Sequence, residues 1–201
     1  MKLGAHTPQS NGIHRDELKS QMNGRSEIDR AKPEIVFVTS YPPRECGIAT
    51  YTQDLINALE LQFRETFTFS ICALESDLEH PEYKTPPSYI LNTNRPEDFK
   101  KAANQMIQNP LIQCVVIQHE FGFFADCHSE FIEFVENIPK PVVMVFHTVL
   151  PNPDAALKHK VQTMLKYSEI VIVMTHNAAN LLIEDYETDK NKIQVIPHGT
   201  H

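Results

Sequence analysis

The chain has 201 residues, 41% of them hydrophobic and 22% charged, and 18 Lys+Arg against 26 Asp+Glu give a formal net charge of -8. That size and mix exclude disorder throughout, because a domain of this length buries roughly 70% of the surface its unfolded chain exposes. The acidic balance argues against a general nucleic-acid binder, which needs cations to neutralise phosphates, and leaves room for a nucleotide-sized ligand held by local donors.

In chain order, residues 1–33 are polar, with Asn11, Gly12, Asn23 and Gly24 but no sustained apolar period, and Pro33 closes the stretch. A mobile N-terminal tail is expected there. From residue 34 the pattern changes to short β-branched runs at 35–39, 67–74, 89–91, 112–118, 142–146, 170–174 and 193–196. Between them lie segments of helical period. Ile48, Tyr51, Leu55, Ile56 and Leu59 share one stripe; Phe99, Ala102, Ala103, Met106 and Ile107 share a second. Phe131, Phe134, Val135 and Ile138 form a third, Leu157, Val161, Met164 and Leu165 a fourth, and Ala178, Leu181 and Leu182 a fifth, with Asp154 and Thr175 placed as N-caps. This alternation predicts an α/β fold, a Rossmann-like doubly wound parallel sheet of about six to seven strands with helices on both faces.

No run approaches the ~18 apolar residues that cross a bilayer, and the first residues lack the apolar core of a signal peptide, so a cytoplasmic location is expected. Cys46, Cys72, Cys114 and Cys127 form no CxxC pair or disulfide framework. Cys72 and Cys114 read as small buried hydrophobes.

In an open parallel sheet, ligands bind beyond the carboxyl ends of the strands. The residues that follow the apolar runs are Ser40 to Gly47, then His119-Glu120-Phe121-Gly122, His147-Thr148, Thr175-His176 and Pro197-His198-Gly199. Four of the ten histidines thus gather at one sheet edge, which predicts a polar, histidine-lined cleft. Tyr41, Arg44, Glu45, His119, Glu120, Thr148 and His198 are its candidate lining residues. Adjacent residues point to opposite sides, so only one of His119 and Glu120 is expected to face a given ligand.

Gly47 opens a helix straight after a strand, where bare amides accept an anionic phosphate; a plain helix start explains the same residue equally well. GxGxxG and GxxxxGK[ST] are both absent, which disfavours an NAD enzyme and a P-loop NTPase. His147 closes a fully apolar strand and is the favoured catalytic or ligand-orienting residue. A zinc site from His119, Glu120, His147 and His198 is disfavoured by the absence of HxxxH or HxH spacing, and no metal is expected. There is no GxSxG elbow, and Cys46 is as readily a packing residue as a reactive one.

The segments TSYPPRECGIATYTQDLINAL (39–59), IQHEFGFF (117–124), VFHTVLPNP (145–153), IVIVMTHNAANLLIEDY (170–186) and IQVIPHGTH (193–201) together resemble the N-terminal half of GT-B glycosyltransferases of family 4, also called group 1. The likeness runs in order over residues 34–201. It implies an acceptor-side Rossmann-like domain that faces a second, donor-holding domain, with sugar transfer from a nucleotide diphosphate to a glycan, lipid or small-molecule hydroxyl. It further implies retention at the anomeric carbon, no cofactor and no essential metal, and a mannosyl donor is one expectation. Gly47, Ile48 and Ala49 match the family's phosphate-approaching loop, although Cys46-Gly47 stands where many relatives carry Gly-Gly. His147 matches the histidine beside the transferred sugar. The donor-side signature of two glutamates eight positions apart does not occur among the 17 glutamates, so the expectation is an isolated acceptor half whose reading frame continues past His201. A purely glycan- or protein-binding domain and half of a nucleotide-sugar 2-epimerase are the alternatives. Docking to a membrane surface is left open, with nothing in the residues to indicate it.

Overall fold

The computed structural model describes Met1, residues 31–78 and residues 81–199. Seven strands, β1 (Glu34–Thr39), β2 (Thr68–Glu75), β3 (Tyr89–Asn92), β4 (Ile112–His119), β5 (Val142–Phe146), β6 (Ile170–Val173) and β7 (Ile193–Val195), form one sheet. They run parallel in the order β3-β2-β1-β4-β5-β6-β7. Five helices connect them: α1 (Gly47–Phe63), α2 (Pro96–Gln108), α3 (His128–Asn137), α4 (Ala155–Lys166) and α5 (His176–Glu184). Residues 33–201 make up one unit of the chain. The expected tail at 1–33 falls almost wholly outside the described residues.

The order reverses between β1 and β4, and handedness turns that reversal into two unequal faces. Strands β1, β2 and β3 step one way, so the crossover through α1 packs on one face; from β3 onward the chain steps the other way and α2 to α5 pack on the opposite face. The pleat sorts the side chains accordingly. Val36, Val38, Cys72, Leu74, Val115, Ile117, Met144 and Phe146 enter the large core with Phe99, Phe131, Phe134, Val161, Met164 and Leu182. Phe37, Ile71 and Ala73 meet Ile56 of α1 in a smaller core.

Two expectations change in detail. On α1 the fully buried residues are Ala49, Thr52 and Ile56, whereas Tyr51, Leu55 and Leu59 are partly exposed. The helix is rotated because Thr52 Oγ1 shares a 2.9 Å hydrogen bond with Thr39 Oγ1 of β1, which draws a polar position inward. Cys72 is buried, and burial pushes its thiol up to about 12. Cys114 is only half-buried, because it sits at the irregular register between β1 and β4.

The expected caps form. Asp154 accepts from the Leu157 amide at 2.7 Å, and Thr175 from the Ala178 amide at 3.0 Å. Each satisfies an amide that the first helical turn leaves open. No helix among the described residues is long and apolar enough to cross a membrane.

Candidate active site at the strand-end edge

The reversal of strand order opens a crevice beyond β1, β4 and β5, the place where such sheets bind ligands. The loop after β1 builds its first wall. Ser40 is fully buried, and its hydroxyl lies 3.0 Å from the Cys46 sulfur. Cys46 is the N-cap of α1 and accepts weakly from the Ala49 amide at 3.4 Å. This settles what the loop can offer an anion. Ala49, expected among the phosphate contacts, is fully buried with its amide turned onto the cap. That expectation is corrected: the free amides of the first turn belong to Gly47, which is exposed, and to the half-buried Ile48.

The second wall comes from β4 and β5, which end side by side. Gln118 and His119 are consecutive, and the pleat sends them to opposite faces. His119 is 1% exposed, with Phe121, Phe124, Phe131 and Phe146 around its ring at centroid distances of 4.9, 5.9, 5.9 and 4.7 Å. The sequence expectation of a cleft-lining His119 is therefore wrong. It faces the large core, and burial, then the neighbouring His128 and His147, hold its pKa down at about 3. Its Nδ1 has no partner.

His147 follows β5 and stands on the other side. Its Nε2 lies 2.7 Å from Gln118 Oε1. An amide oxygen only accepts, so this contact requires the tautomer with its proton on Nε2. Burial, and then His198 nearby, lower its pKa to about 4, which leaves the ring neutral at pH 7 with a lone pair on Nδ1. The edge of the ring meets Tyr51 of α1 at 5.3 Å, and Tyr51 meets His198 at 4.9 Å. The two histidine rings are 6.0 Å apart. Three residues from three separate elements thus converge. Beside them, Gly47, Thr50, Tyr51, Asp54, Pro197 and His198 help to line a cavity of about 570 Å³.

Glu120 and Thr148 also come together, but as a brace. Thr148 Oγ1 donates to Glu120 Oε2 at 2.6 Å, while Glu120 Oε1 accepts from the Phe121 amide at 3.0 Å. The brace ties the turn after β4 to the loop after β5. Tyr41 takes its place against the smaller core, with its hydroxyl accepting from Gln53 Nε2 at 3.0 Å. Glu45 is exposed. Arg44 lies over the Phe123 ring at 5.3 Å and, with Thr93, Asn94 and Asp126, borders a second cavity of about 100 Å³ beyond β2 and β3. Among the described residues no three His, Cys, Asp or Glu side chains converge as a metal site.

Sequence reasoning missed Gln118 and Tyr51 as site residues. Both were visible as polar groups in apolar contexts: Gln118 is the only polar side chain in the run 115–118, and Tyr51 is the only residue with a polar group on the α1 stripe.

The sequence matches no protein-family model and no curated protein. The fold does match solved structures. A glycosyltransferase from Rickettsia africae ESF-5 superposes with a TM-score of 0.56 at 19% identity, over 85% of this chain and 44% of that one. An α-glucosyltransferase in complex with UDP-glucose and DNA containing an abasic site gives 0.51 at 9% identity, over 78% of this chain and 40% of that one. At such identities the likeness establishes the Rossmann-like α/β fold, and the chain spans less than half of either neighbour.

Proposed function

We propose that this chain is the N-terminal, acceptor-side half of a nucleotide-sugar-dependent glycosyltransferase of the family 4 type, a hexosyltransferase that acts with retention. The observation that carries the reading is the convergence of a neutral His147, Tyr51 and His198 beside the open amides of Gly47 and Ile48, at the point where strand order reverses. A neutral imidazole of this pKa is a poor proton acceptor for catalysis at neutral pH, since a general base works best with a pKa near the working pH. It is well suited to accept a hydrogen bond from a sugar hydroxyl at Nδ1 and so to orient the sugar. Positioning and stabilisation of the leaving diphosphate then supply the rate.

In this reading a second Rossmann-like domain holds most of the donor, and the amides of Gly47 and Ile48 approach its diphosphate across the cleft. The acceptor is a glycan, lipid or small-molecule hydroxyl, and a mannosyl donor is the first to try. Neither cofactor nor metal has a role, and an overall charge of -8 makes a nucleic-acid acceptor unfavourable. The test is transfer from labelled UDP-, GDP- and ADP-hexoses to a panel of hydroxyl acceptors by the full-length protein. A donor-dependent product, lost about 100-fold in kcat in His147→Ala, is expected. Acceptor binding with no product from any donor would leave a purely binding domain, and UDP-sugar interconversion without an acceptor would mark an epimerase.

A further inference from the structure

We infer that Gln118 is the positioning residue of the site, fixing the His147 ring in the tautomer with its proton on Nε2, so that Nδ1 is presented as an acceptor to a hydroxyl group. The assignment of that hydroxyl to a sugar rests on the functional reading above; the tautomer and its cause do not.

Three observations carry it. Gln118 is 0% exposed at the penultimate position of β4, before His119, with its Oε1 2.7 Å from His147 Nε2. Among the described residues no other hydrogen bond holds the ring: its aromatic neighbours are Tyr51, near-perpendicular at 5.3 Å, and His198, tilted at 6.0 Å. Without Gln118 the two neutral tautomers would be set only by solvent, and Nδ1 would carry the proton part of the time. Third, the Gln118 amide is costly where it stands. Its Nε2 is buried without a partner, and a buried unpaired donor loses its hydration for nothing in return. The position beside it on β5, Val145, is apolar, and on β1 the hydroxyl of Thr39, one residue past the Val38–Ile117 pair, is already bonded to Thr52. An apolar residue at 118 would suit that surrounding better. What an apolar residue lacks is the acceptor for His147.

The same polarity explains why glutamine serves better than a carboxylate. A carboxylate at this point would favour the imidazolium, and a charged ring has no lone pair for a hydroxyl proton. The amide oxygen orients the ring and leaves it neutral.

The test is nitrogen NMR of the His147 ring in the protein as it is, at pH 7, with Gln118→Met and Gln118→Glu alongside. In the wild type, Nε2 is expected to be pyrrole-like and Nδ1 pyridine-like. Gln118→Met is expected to move both signals toward the average of the two tautomers while thermal stability is unchanged or raised, because an unpaired buried amide has gone. Gln118→Glu is expected to keep the proton on Nε2 and to protonate Nδ1 at a higher pH than in the wild type. A wild-type ring with its proton on Nδ1 would overturn the inference. So would a Gln118→Met ring that keeps the wild-type signals, and if that variant does not fold, an unshifted titration in Gln118→Glu would do the same. In the transfer assay, Gln118→Met is expected to lower kcat roughly 10- to 100-fold, by analogy with removal of the hydrogen-bond partner that orients a metal-bound histidine. An averaged ring with undiminished transfer would leave the tautomer assignment standing and overturn its presentation to the reacting sugar. Absence of transfer by the wild type would count against the glycosyltransferase reading alone.

Discussion

His119 and His147 end neighbouring strands, and the amide of His147 donates to the carbonyl of His119 at 3.1 Å, yet the two rings live in different media. His119 lies among four phenylalanine rings in the large core; His147 lies half-buried over a glutamine at the cleft. Both are neutral at pH 7, for the same first cause, burial. The difference is parity. One residue along a strand exchanges one face of the sheet for the other, so a histidine on the last strand residue and a histidine one step past the end of the next strand are sent opposite ways. Proximity to a strand end therefore places a residue at the right height without deciding whether it meets ligand or core.

The largest effect is expected at the phenylalanine cage around His119. Phe124 and Phe131 stack at 3.8 Å and both are fully buried, so Phe131→Ala is expected to cost about 3 to 5 kcal/mol in urea unfolding. The His147 tautomer should be unchanged wherever that variant stays folded. Next in size is the exchange of roles. His119→Phe removes an unpaired buried nitrogen and is expected to leave stability unchanged or raise it by about 1 to 3 kcal/mol, whereas His147→Ala is expected to cost little stability and to remove function. A strong loss of stability in His119→Phe would show that the imidazole has a partner in the core after all.

Acid sharpens the contrast further. In the unfolded chain both rings would take up protons near their ordinary value of 6.5, but in the fold they stay neutral down to about 4 for His147 and about 3 for His119. The unfolded state binds more protons across that window, so their contribution is complete above pH 6.5 and is lost as pH falls toward 4 and then 3. Urea midpoints from pH 7.5 to 3.5 are expected to decline, and His119→Phe should shallow the slope. The smallest effect is at the helix start. Cys46→Ala removes the weak sulfur cap of the first α1 turn and is expected to cost at most about 1 kcal/mol, while Cys46→Ser should keep or strengthen the cap. An effect of Cys46→Ala on donor KM that Cys46→Ser does not share would tie the cap to the Gly47 and Ile48 amides.

Much of the fold was legible because its signals are local. The β-branched runs and the caps at Asp154 and Thr175 each depend on a few adjacent residues and recur in the structure, whereas the helical stripes recur only in part, since Ile107 is exposed and the last helix buries Ala179 and Leu182 rather than Ala178 and Leu181. The site was legible only as a set of loops. Gly47, His147 and His198 were expected at this edge from the sequence, whereas Tyr51 stands beside the two histidines because Thr52, its neighbour, is drawn inward by Thr39. Gln118 was hidden inside an apolar run, where composition says core and nothing says histidine partner.

The amino-acid sequence alone determined the parallel order of elements, the edge of the sheet at which polar groups collect and the net acidic charge of the chain. Those follow from spacing, chirality and counts of charge. Tertiary structure decided which of two adjacent strand-end histidines is buried and that His147 is held by an amide rather than a carboxylate. The Ala49–Cys46 contact spans three residues and is set by the local turn, whereas the two histidine environments depend on residues far apart in the chain, 29 positions in the case of Gln118 and His147, and such distances exist only once the sheet has closed.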